Sequence, residues 1–474
     1  MYKPKIGVIS LGCPKNTADT EVMLGLLNEA GFPVTFDEQE ADICLVNTCS
    51  FIGEARQESV RTLVELADSG KELVIAGCLA QHYKDDLLQE MPEARALIGT
   101  GDIHRVVEVI TAIAQDKQLR INAVSEKPTY ITEDLLPRLP TNLGPFAYLK
   151  IAEGCNHTCS FCIIPQLRGK FRSRSIESLV AEAKVLVANG AKEIILVSQD
   201  TTYYGLDIYE RQALPELLEA LHDIEGIEWI RIMYAYPTEV NERLLETIAR
   251  LPKVVKYIDI PLQHSHPEVL SKMARPLNPE RVVEKIRKYI PDVRIRTTFI
   301  VGFPGETDEH FEHLLEFVKA QRFDRLGVFT YSREVEVPSG HMENQIKESI
   351  KKSRRAKIMQ AQHEIATQLS AQLVRATMPV LVEEYDSERE LYKGRSPFDA
   401  PQIDNQVYVS DPDNSVTVGD ITTVRIDKAD TYDLYGAAID LGIKSVKSAR
   451  SEIHEASFNG DRRYAHYKQD HRQS

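Results

Sequence analysis

Short apolar runs, each followed by a polar turn and then an amphipathic helical pattern, recur along the first 330 or so residues of this chain. Strands that alternate with helices pair in parallel, because each helix is the crossover that returns the chain to the same end of the sheet. "KIGVISLGC" precedes a helical pattern from about Asp19 to Ala30, "ADICLVNTCSF" one from about Glu54 to Asp68, and "KELVIAGCLAQ" one from about Lys84 to Glu90. This rhythm predicts a doubly wound parallel sheet over residues 1–118, with ligands gathering outside the carboxyl ends of its strands.

Residues 119–145 are rich in turn formers and read as a linker. Six more strand runs follow: "FAYLKIAE", "KEIILVSQ", "EWIRIMYAY", "KYIDIPLQ", "VRIRTTFIVGF" and "RLGVFTYS". A complete α/β barrel has eight strands, so six units predict an open (β/α)6 barrel over 146–375, counting a connector helix from about Ile346 to Val374. Short alternating strands from 376 to 442, such as "MPVLVEEYD" and "NQVYVSD", predict a small antiparallel β-barrel of OB-like outline. The polar remainder, 443–474, is expected to be disordered.

With 474 residues, 43% of them hydrophobic, the chain can build two or three domains with real cores. No run approaches a membrane span and the first residues carry no signal segment, so a cytoplasmic protein is expected. A net charge of -14 argues against strong direct binding to nucleic acid. Seven cysteines, an odd number in a reducing compartment, point to metal or redox chemistry rather than a disulfide framework.

Cys155, Cys159 and Cys162 form the C-x3-C-x2-C stretch "GCNHTCSFC" directly after the first barrel strand. Three thiolates on one tight loop can hold three irons of a cubane and leave the fourth open. Zinc is the alternative, with His157 as a fourth ligand that must turn back within a short loop. Cys13, Cys49 and Cys78 are far apart in sequence, yet each follows one of the first three strands and sits beside turn residues. Parallel neighbours lie about 4.8 Å apart, so residues at equivalent strand ends can converge on one cluster. Cys44, inside the run "DICLVN", reads as core.

The C-x3-C-x2-C spacing with Phe161 before the third cysteine resembles the radical S-adenosylmethionine (SAM) enzymes. The resemblance implies that SAM chelates the open iron and is cleaved to a 5'-deoxyadenosyl radical. "FIVGFPGET", with Gly302 and Gly305, is similar to the segment that contacts the adenine in that family. Two three-cysteine sites with a small terminal β-barrel resemble the methylthiotransferases, which combine an amino-terminal cluster domain, a radical SAM barrel and a TRAM domain. This implies two 4Fe-4S clusters. The one at Cys155, Cys159 and Cys162 makes the radical, and the one at Cys13, Cys49 and Cys78 holds or delivers sulfur.

Members of that family modify either a tRNA adenosine or an aspartate of ribosomal protein uS12. "LGCPKN", "EGCNHTCSFCIIPQLRGKFRSR", "SQDTTYYG" and "DIPLQH" resemble the uS12 branch, which implies methylthiolation at the β-carbon of an aspartate. The expected partners are uS12 or the small ribosomal subunit, together with an electron donor. Between Glu383 and Asp440 there are 14 acids against 5 bases, a sign that suits a basic ribosomal protein better than RNA. A solvated acidic surface is the alternative. Of the basic run Arg168, Lys170, Arg172 and Arg174, some members attract a carboxylate of substrate or SAM and others are ion-pair partners or surface charges. Gln199, Asp200, Gln263 and His264 fall at strand ends facing the mouth; Gln199 is the candidate for SAM, and His264 is left open. The rivals are a tRNA methylthiotransferase and, more remotely, a non-catalytic metal-binding module that docks on the ribosome.

Overall fold

The first apolar runs form a single parallel sheet. It contains β1 (Ile6–Ser10), β2 (Val34–Thr35), β3 (Ile43–Thr48), β4 (Glu72–Gly77), β5 (Ala94–Ile98) and β6 (Ile121–Ala123), in the order β2-β1-β3-β4-β5-β6. The structure, a computed structural model, describes residues 3–50, 52–132, 135–141, 144–275 and 277–439; the tail at 443–474 lies outside the described residues. Helices α1 (Pro14–Glu29) and α4 (Val106–Gln115) pack on one face with Ile6, Val8, Leu24, Leu27 and Ile110, while α2 (Gly53–Asp68) and α3 (Cys78–Glu90) cover the other with Val46, Leu63 and Leu79. Cys44 is buried in that second layer, as expected of a core thiol.

The sequence reading has neither of the short strands β2 and β5, and three further details differ from it. The segment read as a linker over 119–145 begins with β6, paired to β5 from Ala96↔Ile121 to Ile98↔Ala123. Three residues are too few to show a strand alternation. Helix α1 starts at Pro14 rather than Asp19, because proline at the first helical position brings a fixed φ and no needed N–H. Helix α3 starts at Cys78 and contains a break at Lys84 (φ 44°, ψ −123°), where the sequence pattern begins it.

The second sheet holds β7 (Phe146–Lys150), β10 (Glu193–Val197), β11 (Trp229–Ile232), β12 (Val254–Asp259), β13 (Arg294–Val301) and β14 (Arg325–Thr330), parallel and open, in the order β14-β13-β12-β11-β10-β7. A small hairpin of β8 (Ala152–Glu153) and β9 (Arg172–Ser173) brackets the cysteine loop. Between strands run α5 (Ile164–Arg168), α6 (Ile176–Ala188), α7 (Leu214–His222), α8 (Glu242–Arg250), α9 (Pro267–Lys272), α10 (Pro279–Tyr289) and α11 (Asp308–Gln321). Outward strand residues such as Leu149, Leu196, Ile258 and Phe299 pack under these helices. Inward residues Tyr148, Ile195, Trp229 and Tyr257 meet Ala18 of α1 together with Leu381 and Ala400 of the last domain. Both flanking domains therefore help fill the open barrel.

Helix α12 (Glu348–Ala371) leads to β15 (Thr377–Asp386), β16 (Leu391–Arg395), β17 (Val407–Ser410), β18 (Ile421–Ala429) and β19 (Leu434–Ala438). These close into a barrel whose pairings are antiparallel except that of β17 with β19. It docks through buried charge. Glu193 accepts from Arg231 and Arg395, each at 2.6 Å, and Tyr257 donates to Asp404 at 2.6 Å. Arg325 pairs with Asp399. Glu193 and Arg325 are the first residues of β10 and β14, so this barrel plugs the amino ends of the strands and leaves the carboxyl ends as the mouth.

Candidate active site

The first three cysteines lie at the carboxyl ends of three adjacent strands. Cys49 directly follows β3, Cys78 directly follows β4, and Cys13 caps α1 three residues beyond β1. The chain passes tightly here. Gly12 has φ +91°, and a Cβ on it would lie 2.7 Å from the Cβ of Cys49 and 3.2 Å from its Sγ. Arg168, from the barrel domain, donates to Cys78 Sγ at 3.6 Å and to Asn16 Oδ1 at 2.6 Å. Burial by itself would push the Cys13 thiol up, but the Lys15 and Arg168 cations outweigh it and hold the thiol below its ordinary range. At Cys78 burial wins over Arg168 and the thiol is raised. Cys44, away from these cations, is pushed up to about 11 by burial.

The second centre is the loop between β8 and α5. The His157 N–H donates to Cys155 Sγ at 3.4 Å, Arg275 donates to Cys159 Sγ at 3.6 Å, and the Tyr236 hydroxyl lies 3.9 Å from the same sulfur. Burial raises Cys155 to about 11 and Cys162 to about 12, values that a bound cation or cluster would reverse. The His157 ring stacks on Tyr236 at 3.6 Å and pairs with Asp200 at 2.6 Å, so its polar edge is tied to Asp200 and not to the thiols. Among the described residues no three of His, Cys, Asp and Glu are grouped as a single metal ion requires. Thiolates on one zinc crowd around a common atom at about 2.3 Å. Those on a cubane each take a different iron, and three free cysteines on one loop are the donors that such a cluster needs.

Helix α5 joins the two centres. It starts two residues after Cys162 and ends at Arg168, whose guanidinium reaches Cys78, and Val337 packs against Cys78, Ile163 and Leu167 between them. Arg168 is held by Asp19 at 3.1 Å and Glu153 at 3.0 Å, and Lys150 pairs with the same two carboxylates. Arg174 pairs with Glu182, Arg172 is half-buried and Lys170 is exposed. The ion-pair alternative therefore holds for Arg168 and Arg174.

Other expected residues fall as follows. Gln199 donates to Glu153 at 2.7 Å and leaves its buried amide oxygen without a partner, which suits a ligand donor at the mouth. Phe161 packs edge-on against Phe303. Gly302 and Gly305 both have positive φ, and the Gly302 N–H donates to Glu306. Gln263 bridges to Phe299 in the sheet, and His264 is buried with 0% exposure, a core position. The pattern of the sequence did not single out Lys15, Glu153, Tyr236 or Arg275. Each is an isolated polar residue whose meaning depends on what lies opposite in space.

Three family descriptions match the chain: the radical SAM superfamily over residues 149–318, uncharacterized protein family UPF0004 over 5–99, and the TRAM domain over 375–439. The ribosomal protein uS12 methylthiotransferase RimO of Gloeothece citriformis is 49% identical over 441 residues, which is 92% of this chain and 99% of that protein. The protein of the same name from Acaryochloris marina is 50% identical over 442 residues, with the same coverage of both chains. Among solved structures, the radical SAM methyltransferase TsrM from Kitasatospora setae shares the fold with a TM-score of 0.54 at 15% identity, over 72% of this chain and 77% of that one.

Proposed function

This chain belongs to the ribosomal protein uS12 methylthiotransferases of the radical SAM superfamily, and we propose that it methylthiolates the β-carbon of an aspartate in uS12. The observation that carries the reading is the pairing of a strand-end cysteine trio with a C-x3-C-x2-C loop, joined by a helix of five residues. A β-carbon hydrogen is too weakly acidic for a side-chain base, so two 4Fe-4S clusters and SAM supply one-electron chemistry and the methylthio group. In this reading Cys155, Cys159 and Cys162 hold the cluster that SAM chelates, with Arg275 and the His157 N–H donating to its thiolates. Cys13, Cys49 and Cys78 hold the other, with Lys15 and Arg168 offsetting the thiolate charge. Gln199, Phe161, Gly302 and Gly305 bind SAM across the mouth.

The terminal barrel supports a basic partner. Asp399 and Asp404 are engaged in docking and Glu383 pairs with Arg395 within the barrel, while Glu388, Glu390, Asp413, Asp420 and Asp427 remain exposed. Work on a ribosomal protein sets the reaction in the cytoplasm, and no helix among the described residues is long and apolar enough to cross a membrane.

The test is anaerobic reconstitution of the full chain with iron, sulfide, SAM and a reductant, followed by the mass of uS12. A methylthio gain on uS12 and none on a tRNA stem-loop is expected; the reverse overturns the substrate. Replacing Cys13, Cys49 and Cys78 by Ala is expected to lower iron from roughly eight to four per chain. That variant should keep SAM cleavage and lose the mass gain. Loss of cleavage as well would refute the division of labour between the centres.

A further inference from the structure

Lys15 is 8% exposed and occupies the first turn of α1, where a cation opposes the helix dipole and no acid compensates it. Its contacts cross into the barrel domain. Nζ donates to the Ser198 carbonyl at 3.3 Å, just beyond β10, and lies 3.6 Å over the ring of Tyr234, just beyond β11. Neither is a carboxylate. An ammonium has three donors, and burying one without a counter-charge is costly.

The other buried cations of this region are matched. Arg168 faces Asp19 and Glu153, Arg174 faces Glu182, and Arg231 and Arg395 share Glu193. The acid nearest Tyr234, Asp259, accepts from the Tyr234 N–H and is paired with Arg296. Arg275 also lacks a carboxylate, but it donates to Cys159 Sγ and so has a thiolate to answer. Lys15 donates to no anion: the Cys13 thiol, two residues away, feels its charge only through space, and Nζ sits beside the strand ends that carry Asp200 and Tyr236 to the second centre.

We propose that Lys15 receives the carboxylate of the substrate aspartate and so fixes its β-carbon, one bond away, between the two centres; this rests on the uS12 reading above. The positive φ of Tyr234 (61°) is the strained position that keeps its ring beneath the ammonium. Lys15 is a positioning residue that selects an acidic substrate, and a neutral base in the same place would find a buried cation unpaired.

The test titrates the full chain, with both centres reconstituted anaerobically, with a fluorescent peptide spanning the uS12 aspartate and with the same peptide carrying asparagine. Wild-type protein is expected to bind the aspartate form about 10- to 100-fold more tightly, the range of one charge-assisted contact. Lys15→Met is expected to bind both peptides alike, and Lys15→Arg to regain part of the preference. Iron content and SAM affinity by equilibrium dialysis are measured on each variant, and the two peptides are compared per iron-loaded chain. No preference in the wild type, or preference kept in Lys15→Met, overturns the proposal. So does a loss of SAM affinity or of iron with peptide preference unchanged, which would assign Lys15 to the carboxylate of SAM or to Cys13. The mass of uS12 from the same wild-type preparation separates the two readings. If no methylthio group appears, the proposed function fails; if it appears and the Lys15 comparison fails, only this assignment falls.

Discussion

His264 shows how one residue changes meaning between a pattern and a packed chain. Its Nδ1 accepts from the His266 N–H at 3.0 Å, so Nε2 carries the hydrogen, and that atom lies 3.8 Å from Glu306. Burial, joined by His266, His310, His313 and Arg354, pushes its pKa down to about 3. The unfolded chain binds this proton near pH 6.5 and the folded chain does not until about 3, so stability falls as pH drops through that window. Glu306, raised by burial, works in the opposite direction just above its ordinary pKa and softens the fall at the acid end. Between pH 7 and pH 5 the native protein is expected to lose about 2 kcal/mol more than His264→Asn does. Urea unfolding at the two pH values measures this; parallel losses would remove His264 from the account.

At the scale of elements, α5 matters more than its five residues suggest. Pro165 helps start it, Gly169 ends it at φ 73°, and its last side chain enters a buried cluster with Asp19, Glu153 and Lys150. Arg168→Met leaves Lys150 alone against two buried carboxylates. Removing one partner of such a group costs about 3–5 kcal/mol. Chemical denaturation should record a loss of that order, and a loss below about 1 kcal/mol would mean that the cluster relaxes without it. The same substitution removes the donor at Cys78, so iron retention by the first centre is expected to fall while the second keeps its iron.

Across the whole molecule, the three domains are bound by charge buried at their contacts. Arg56 holds Glu334 across the first two domains at 2.9 and 3.1 Å, and Glu193 holds Arg395 across the last two. Glu193→Gln removes the charge shared by Arg231 and Arg395, and calorimetry is expected to show the terminal barrel unfolding separately, below the main transition. A single transition at the native temperature would show that the apolar contacts of Leu381 and Ala400 hold the barrel without it.

Much of the architecture was legible in the sequence because it is written in local periods. Six barrel strands, the closing β-barrel and the placement of Cys13, Cys49 and Cys78 after strands follow from apolar runs and turn residues that neighbour one another along the chain. The start of α1 and the strands β5 and β6 were not, since Pro14 reads equally as a turn and short strands carry too few alternations. The sequence by itself determined which residue types stand at the strand ends, and with them the class of chemistry. Only the tertiary structure decided which charges meet: Arg168 is neutralised by Asp19, 149 residues away, while Lys15 meets the Ser198 carbonyl and the Tyr234 ring and no carboxylate. Ion pairing depends on distance through space and on burial, and neither is encoded in the spacing of residues along the chain.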